Sequence, residues 1–369
     1  MAKKKKSKRP GKTTSSGVKA PAQRQIDKLD QEILELINRR AELAIQRKRT
    51  TPTESADLRE SLEHVVTLGH SDKGPLSADS VRSVFREILS GTQAASQVTR
   101  VAYLGPEFTY SHLAAIERFG QSAELVPVAT IAAVFEEVER GHANFGLVPI
   151  ENSTDGRVAD ALECLARSPI QICGEVPLRI RHCLLANCSR SSVVRVYSKR
   201  QPLSQCRNWL SQHLPDAQLI EVSSSAEAAR KAAEESGSAA IASEQAGVNH
   251  EIAVLSHGIE DNSDNVTRFA VIGKESAKKT GNDKTAVVFE IDHQPGALAD
   301  AMGIFKRQKL NMTWIESFPL PGQRGSYLFF VEFQGHASQL RARRALAALE
   351  KRALRLTLLG SYAQTEPIG

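Results

Sequence analysis

The chain runs to 369 residues, 41% hydrophobic and 24% charged, the balance of a globular protein of two or three domains and not of a fibrous or wholly disordered one. Five cysteines without a Cys-x-x-Cys pair and ten histidines without a His-x-x-x-His pair exclude a disulfide framework or zinc site as the organising feature; reduced thiols in a cytoplasmic protein, with no metal and no cofactor, are expected. The net charge of +6 belongs to the first 21 residues, where Lys3, Lys4, Lys5, Lys6, Lys8, Arg9, Lys12 and Lys19 stand without one acid, so that taking eight from +6 leaves −2 for the remainder.

In chain order, residues 1–22 read as a disordered basic tail, too rich in Lys, Ser, Thr, Gly and Pro to build a core. It has neither the apolar stretch of a secretory signal nor the pattern of a transit peptide. A solvated arm is expected, with no nucleic-acid partner. No apolar run approaches the roughly 18 residues of a membrane span, so no membrane partner is expected. Residues 23–50 form an amphipathic helix, with Ile26, Leu29, Ile33, Leu36, Ile37, Leu43 and Ala44 at helical spacing. Thr51-Pro52 ends it. A second helical pattern covers about 55–68 through Leu58, Leu62, Val65 and Val66. A third follows Gly74-Pro75, with Ser77 as N-cap and Val81, Val84, Phe85, Ile88 and Leu89 as its stripe. Gly91–Gln97 reads as a polar linker.

From Val98 short apolar strands alternate with helical stretches, the texture of an α/β fold. Strands are predicted at Val98–Leu104, Phe145–Ile150, Ile170–Ile180, Cys183–Ala186, Val193–Tyr197, Ala239–Ala242 and Phe269–Ile272. Helices are predicted at Ser111–Phe119, Ile131–Arg140, Pro202–His213 and Ser225–Glu235. Gly273–Asp283 is a second linker. Thr285–Ile291 (strand), Gly296–Lys309 (helix), Met312–Pro319 and Tyr327–Phe333 (strands), Ser338–Leu349 (helix) and Leu354–Ser361 (strand) then spell βαββαβ, the ferredoxin-like unit.

Chemistry concentrates in a few polar clusters. The apolar run Phe145–Ile150 stops at Glu151-Asn152-Ser153-Thr154-Asp155-Gly156, and Asn265-Val266-Thr267-Arg268-Phe269 ends a polar loop before another strand. At the edge of a buried strand such clusters offer hydroxyls, amides and backbone N–H groups to a crevice. Three strand-to-helix turns add to them: one with Thr109 and Ser111, one at Ser198–Cys206 where Pro202 suits the first helical position, and one with Ser224 as cap. Taken alone, each is equally an ordinary helix cap. Together they suggest two α/β lobes with helix N-termini facing an anion.

Five segments taken in order carry a resemblance. Gly-Pro-x-x-Thr-x-Ser at 105–111, Val-Pro-Ile-Glu-Asn-Ser-x-x-Gly-x-Val at 148–158, Ser-x-x-Gln-x-Leu-x-Gln-Cys at 198–206, Ala-Ala-Ile-Ala-Ser at 239–243 and Thr-Arg-Phe at 267–269 resemble the prephenate dehydratase family. Gly296-Ala297-Leu298 and Glu316-Ser317-x-Pro319 resemble its ACT regulatory domain. Residues 23–97, with Arg40 in Asn-Arg-Arg-Ala-Glu-Leu-Ala, resemble the AroQ chorismate mutase module. The resemblance covers about 23–364 and implies a multidomain chain of the bifunctional P-protein type. Its parts are all-α mutase-like helices (23–97), a two-lobed α/β dehydratase domain like the periplasmic binding proteins (98–275), and an α+β ferredoxin-like ACT domain (284–364).

The implied activity is decarboxylative dehydration of prephenate to phenylpyruvate in phenylalanine biosynthesis. Thr267 would donate to the departing hydroxyl, as polarising group or relay, since threonine is too weak an acid to be the proton source. Arg268 would bind a carboxylate or serve a structural ion pair, and Glu151 would act as acid or as a capping carboxylate. Thr109, Ser111, Asn152, Ser153, Thr154, Ser198, Gln201 and Phe269 are expected around the substrate. Gly296, Ala297, Leu298, Glu316 and Ser317 are expected to hold L-phenylalanine as inhibitor, across the interface of a homodimer or homotetramer. Where the family usually has Gly the chain has Phe108, and Lys199-Arg200 replaces a His-Pro pair. Phe318 replaces the ACT motif's arginine. The mutase module departs further: Gln23, Thr51, Asp57-Leu58 and Ser96 fall where an arginine, a lysine, an Arg-Glu pair and a glutamine are expected, so an active mutase and a decayed docking module both stay open. Arogenate dehydratase and a non-catalytic amino-acid sensor are the other readings.

Overall fold

The computed structural model describes residues 21–50, 61, 62, 64, 65, 67, 74–319 and 327–368. The basic tail through residue 20 and most of the helix expected at 55–68 lie outside them; 61, 62, 64, 65 and 67 are helical. The chain divides into two units at Ala56/Asp57. The first holds helix α1 (Pro21–Thr50), which starts two residues ahead of expectation because proline suits a first turn, where its missing N–H has no helical partner. Along it Leu29, Ile33, Leu36 and Leu43 are each more than half exposed.

In the second unit, after those helical residues, comes α2 (Ala78–Ser96), capped by Ser77, whose hydroxyl accepts from Ser80 N at 3.1 Å. The expected linker Gly91–Gln97 is helical through Ser96. Its small polar side chains serve the helix and its neighbour. Thr92 Oγ1 donates to Ile88 O at 2.7 Å, and Ser90 Oγ donates to Phe119 O at 2.8 Å. Gly120, at φ 73°, lies so close that a Cβ there would sit 2.3 Å from Ser90 Cβ. Polarity marked a docked helix face, not a loop.

The first lobe combines β1 (Arg100–Leu104), β2 (Glu124–Val128), β3 (Phe145–Asn152), β5 (Gln171–Arg179) and β11 (Val266–Gly273) in the order β2-β1-β3-β11-β5, with the short β4 (Gly156–Arg157) folded back on β3. Helices α3 (Tyr110–Phe119), α4 (Ile131–Glu139) and α5 (Ala159–Arg167) complete it. The second lobe has the order β10-β6-β9-β7-β8, from β6 (Cys183–Leu185), β7 (Arg195–Ser198), β8 (Gln218–Glu221), β9 (Ser238–Ala242) and β10 (Val254–Ser256). The chain passes to it after β5 and returns into β11, so the second lobe is one continuous insertion and the first is built from segments on both sides of it. Helices α6 (Arg200–Gln205) and α7 (Arg207–His213) replace the single helix expected at Pro202–His213, because the backbone at Cys206 leaves helical geometry (φ −110°, ψ 14°). Pro202 stands third in α6, after the N-cap Lys199, and not at the first position. Helices α8 (Ser225–Glu234) and α9 (Glu244–Asn249) finish the lobe.

The last segment forms an antiparallel sheet ordered β13-β14-β12-β15, from β12 (Asp283–Glu290), β13 (Met312–Pro319), β14 (Tyr327–Gln334) and β15 (Arg355–Ala363). With α10 (Ala297–Arg307) and α11 (Leu340–Glu350), this is the ferredoxin-like topology. One sheet face buries Val287, Phe289, Val331 and Phe333 against Ile304, Phe305 and Leu349 of the helices. The other packs Val288, Phe330, Leu359 and Tyr362 into the core of the first lobe with Val148, Ile170 and Ile272. The two sheets approach so closely that a Cβ on Gly360 (φ 142°) would meet Ile172 O at 2.1 Å. Glycine is required there.

Candidate active site

A cavity of about 220 Å³ lies between the two lobes. Thr109, Ser111, Asn152, Thr267 and Phe269 line it from the first lobe, and His182, Lys199, Gln201, Gln205 and Ser223–Ser225 from the second. Two helices present their N-termini to it from opposite sides. Thr109 caps α3, accepting from His112 N at 3.4 Å, and Ser224 caps α8, accepting from Glu227 N at 3.0 Å. Unsatisfied N–H groups and the positive ends of both helix dipoles suit an anion.

The centre of the cavity wall is an amide–hydroxyl cluster. Asn152 Oδ1 accepts from Thr154 N at 2.9 Å and Asp155 N at 3.1 Å, a local turn that fixes the amide with Nδ2 as donor. That Nδ2 lies 2.8 Å from Thr267 Oγ1 and 2.9 Å from Asn265 Oδ1. With an acceptor site of Thr267 filled by Asn152, the hydroxyl proton is left for a ligand. The cluster continues to the second lobe: Asn265 Nδ2 donates to Gln205 Oε1 at 3.2 Å, and His182 Nε2 lies 2.9 Å from the same oxygen. Gln205 Nε2 is committed to Asp155 Oδ2 at 3.2 Å, so Oε1 accepts and His182 Nε2 carries the proton. Burial lowers the pKa of His182 against the opposing Gln205 hydrogen bond and Glu260 charge, keeping it neutral near pH 7. Burial holds the Tyr110 phenol, 3.1 Å from His182 Nδ1, far above its ordinary range.

Strand β11 begins at Val266, three residues ahead of the predicted start, so Thr267 and Arg268 belong to the strand and not to the loop before it. The period-two alternation sends Thr267 and Phe269 into the cavity and Arg268 to the opposite face. There Arg268 meets Glu151 Oε2 at 2.8 Å, Glu175 Oε2 at 3.0 Å and Glu332 Oε1 at 2.8 Å, while its guanidinium covers the Trp314 ring. The expected substrate-facing Arg268 and the expected acid Glu151 are therefore partners in an ion network behind the site. Burial would lower the Arg268 pKa, but the Glu332 and Glu175 charges reverse this and raise it.

Three further expected residues lie off the cavity wall. Ser198 is fully buried and donates to Ile241 O at 2.8 Å, tying β7 to β9. Ser153 Oγ bonds Asp264 O at 3.3 Å and accepts from Val266 N at 3.0 Å, clasping β3 to β11. Thr154 Oγ1 reaches Asn265 Oδ1 at 3.4 Å. Thr109, Ser111, Asn152, Thr267, Phe269 and Gln201 are brought together; Gln201 donates to Asp155 across the mouth.

Comparison with known proteins follows the same segments. Residues 101–277 match the family model described as prephenate dehydratase. A bifunctional chorismate mutase/prephenate dehydratase of Aquifex aeolicus is 39% identical over 347 residues, 92% of this chain and 96% of the relative. A protein of the same description from Pseudomonas aeruginosa is 39% identical over 350 residues, 91% of this chain and 95% of the relative. The crystal structure of prephenate dehydratase in complex with L-Phe from Arthrobacter aurescens superposes with a TM-score of 0.68 at 32% identity, covering 72% of this chain and 90% of that one. The chain belongs to the prephenate dehydratase family. In this prephenate dehydratase fold the residues that sequence reasoning left out of the site include Asn265, Gln205, His182 and Tyr110. The first two stood inside the quoted motifs. Tyr110 stood at an unspecified position of its motif, between Thr109 and Ser111, while His182 is an isolated polar residue whose local pattern does not distinguish it from a surface position.

Two features sit apart from the cavity. Gly296 adopts a left-handed conformation (φ 84°) as N-cap of α10, which Ala297 and Leu298 open, and Glu316 and Ser317 lie on β13. Arg40 lies on α1 in the N-terminal unit, its Nη1 buried without a hydrogen-bond partner among the described residues.

Proposed function

We propose that this chain converts prephenate to phenylpyruvate. Prephenate carries two carboxylates and a ring hydroxyl. The electrons of the C–CO₂ bond move into the ring as the ring C–O bond breaks, and the departing oxygen takes up one proton to leave as water. Aromatisation drives the step, so the protein has to hold the dianion and hydrogen-bond the departing oxygen. The Asn152–Thr267 pair carries this reading: Asn152 occupies an acceptor site of the Thr267 hydroxyl, and the remaining proton serves the leaving group. Thr267 polarises or relays, the net proton coming from solvent. Thr109, Ser111, Gln201 and the α3 and α8 N-termini bind the carboxylates, and Phe269 offers an apolar seat for leaving CO₂.

L-phenylalanine is the proposed inhibitor, held in an ACT domain formed by residues 284–364 at Gly296, Ala297, Leu298, Glu316 and Ser317. The ferredoxin-like topology and the L-Phe complex of the Arthrobacter aurescens protein support this. A homodimer or homotetramer is proposed because β13 is an edge strand of its sheet and carries the half-exposed Ile315. The N-terminal helices are proposed as a chorismate mutase-type module, supported by the bifunctional relatives and by Arg40, whose orphaned Nη1 suits an anion. Whether that module turns over is read by the same experiment as the main proposal. Purified protein receives prephenate or chorismate in parallel, and phenylpyruvate is measured. Product from both marks a bifunctional enzyme; product from prephenate alone marks a docking module at the N-terminus. Absence of product from prephenate overturns the proposal.

A further inference from the structure

The charge inventory of the crevice is unusually simple. Of the side chains lining it among the described residues, only Tyr110, His182 and Lys199 belong to ionisable types. Burial holds the first as a neutral phenol and the second as a neutral imidazole. Lys199 is thus the sole fixed charge on the wall, the cation that Arg268 does not provide. It precedes α6 on the second lobe, is exposed to the cavity, and stands beside Gln201 and opposite the Thr267–Asn152 cluster. Among the described residues no carboxylate lines the cavity, and the one at its mouth, Asp155, already accepts from Gln201 and Gln205.

We propose that Lys199 is a specificity-determining residue, binding the side-chain carboxylate of the keto acid and disfavouring the amino analogue. The inference rests on the dehydratase reading above. Prephenate and arogenate share the ring, both carboxylates and the elimination. They differ where a carbonyl in one is an ammonium in the other, adjacent to the side-chain carboxylate. An ammonium group at Lys199 brings two like charges together in a part-enclosed crevice, and no acidic side chain on the wall offsets them. The dianion gains a charge-assisted hydrogen bond from the same nitrogen.

The test compares wild type with Lys199→Met and Lys199→His, measuring kcat and KM for prephenate and for arogenate. Lys199→Met is expected to raise KM for prephenate about tenfold or more, the scale of one charged hydrogen bond, with a smaller fall in kcat. The preference for prephenate over arogenate should shrink by about the same factor. Lys199→His is expected to bind prephenate better below about pH 6.5 than above it, as the imidazole gains its charge, a profile that a packing role would not produce. Unchanged substrate preference in both variants overturns the proposal while leaving the dehydratase reading intact. Failure of the wild type to act on prephenate overturns that reading instead.

Discussion

At the scale of single residues, the catalytic reading turns on one proton. Thr267 receives a hydrogen bond from Asn152 Nδ2 at 2.8 Å, which leaves its own O–H free to point at the departing oxygen. Thr267→Ala is expected to lower kcat by about two to four orders of magnitude, the usual weight of a positioned proton donor, with the melting temperature nearly unchanged since the side chain lines a cavity. Thr267→Ser keeps the hydroxyl and should recover most of the rate. Steady-state kinetics of both variants against circular dichroism melts decide it; near-normal turnover of the alanine variant removes Thr267 from the chemistry. Phe108 shows a different residue-scale effect. Its φ of 62° is left-handed, conformational space that glycine enters freely and a β-carbon makes costly by about 1–2 kcal/mol, which accounts for the glycine usual at this position. The chain tolerates phenylalanine because the ring packs against the core of the second lobe and edge-on to His112 at 5.5 Å.

At the scale of elements, legibility followed burial. The strand at Phe145 and the βαββαβ series at the C-terminus could be read because their apolar runs are long and bounded by turn residues. β8 and β10 could not: four and three residues long, the first largely solvent-facing and the second uniformly half-buried, they show no alternation to detect, and only pairing with β7 and β6 defines them. The misplaced start of β11 had the largest consequence for the site. A strand begun at Phe269 leaves Thr267 and Arg268 together in a loop, whereas a strand begun at Val266 parts them by its pleat. Arg268 then becomes part of a junction between the first lobe and the C-terminal sheet, together with Glu175 of β5, Lys284 of β12, Glu332 of β14 and Tyr362 of β15. Burial alone would raise the Glu332 carboxyl, but the Arg268 and Lys284 cations and its hydrogen bonds outweigh it, and its pKa lies below the ordinary value. A carboxyl depressed on folding stabilises the folded state above the unfolded pKa, about 4.3 for glutamate, and that contribution disappears as pH falls through the folded value. Glu332→Gln is therefore expected to cost about 3–5 kcal/mol near pH 7, with the gap in melting temperature from wild type narrowing as pH drops below about 4. A gap that stays constant across pH 7 to 3 would show that Glu332 contributes by packing and not by charge.

At the scale of the whole molecule, the same hairpin touches the crevice between the lobes and the segment proposed to hold the effector. The turn after β3 carries Asn152, whose amide holds Thr267, and Asp155, whose carboxylate accepts from Gln201 and Gln205 of the opposite lobe. Two residues later Arg157 leaves the hairpin in the other direction and donates from Nη1 to Glu316 Oε2 and Ser317 O, both at 2.9 Å. An effector that takes over Glu316 and Ser317 must compete with that guanidinium or reorient it, and the hairpin that closes the crevice is what Arg157 is attached to. As a half-exposed pair the contact is worth little in stability, so its consequence belongs in coupling between sites, where differences of 1–3 kcal/mol are typical. Arg157→Ala is expected to keep prephenate turnover without effector within about threefold of wild type, and to shift the L-phenylalanine concentration for half-inhibition by about fivefold or more. Because coupling is reciprocal, prephenate should also lose its influence on phenylalanine binding in the variant, measurable by calorimetry at saturating and zero substrate. Inhibition curves that superpose for the two proteins would place the route between the sites elsewhere, as through the Arg268–Glu332 junction.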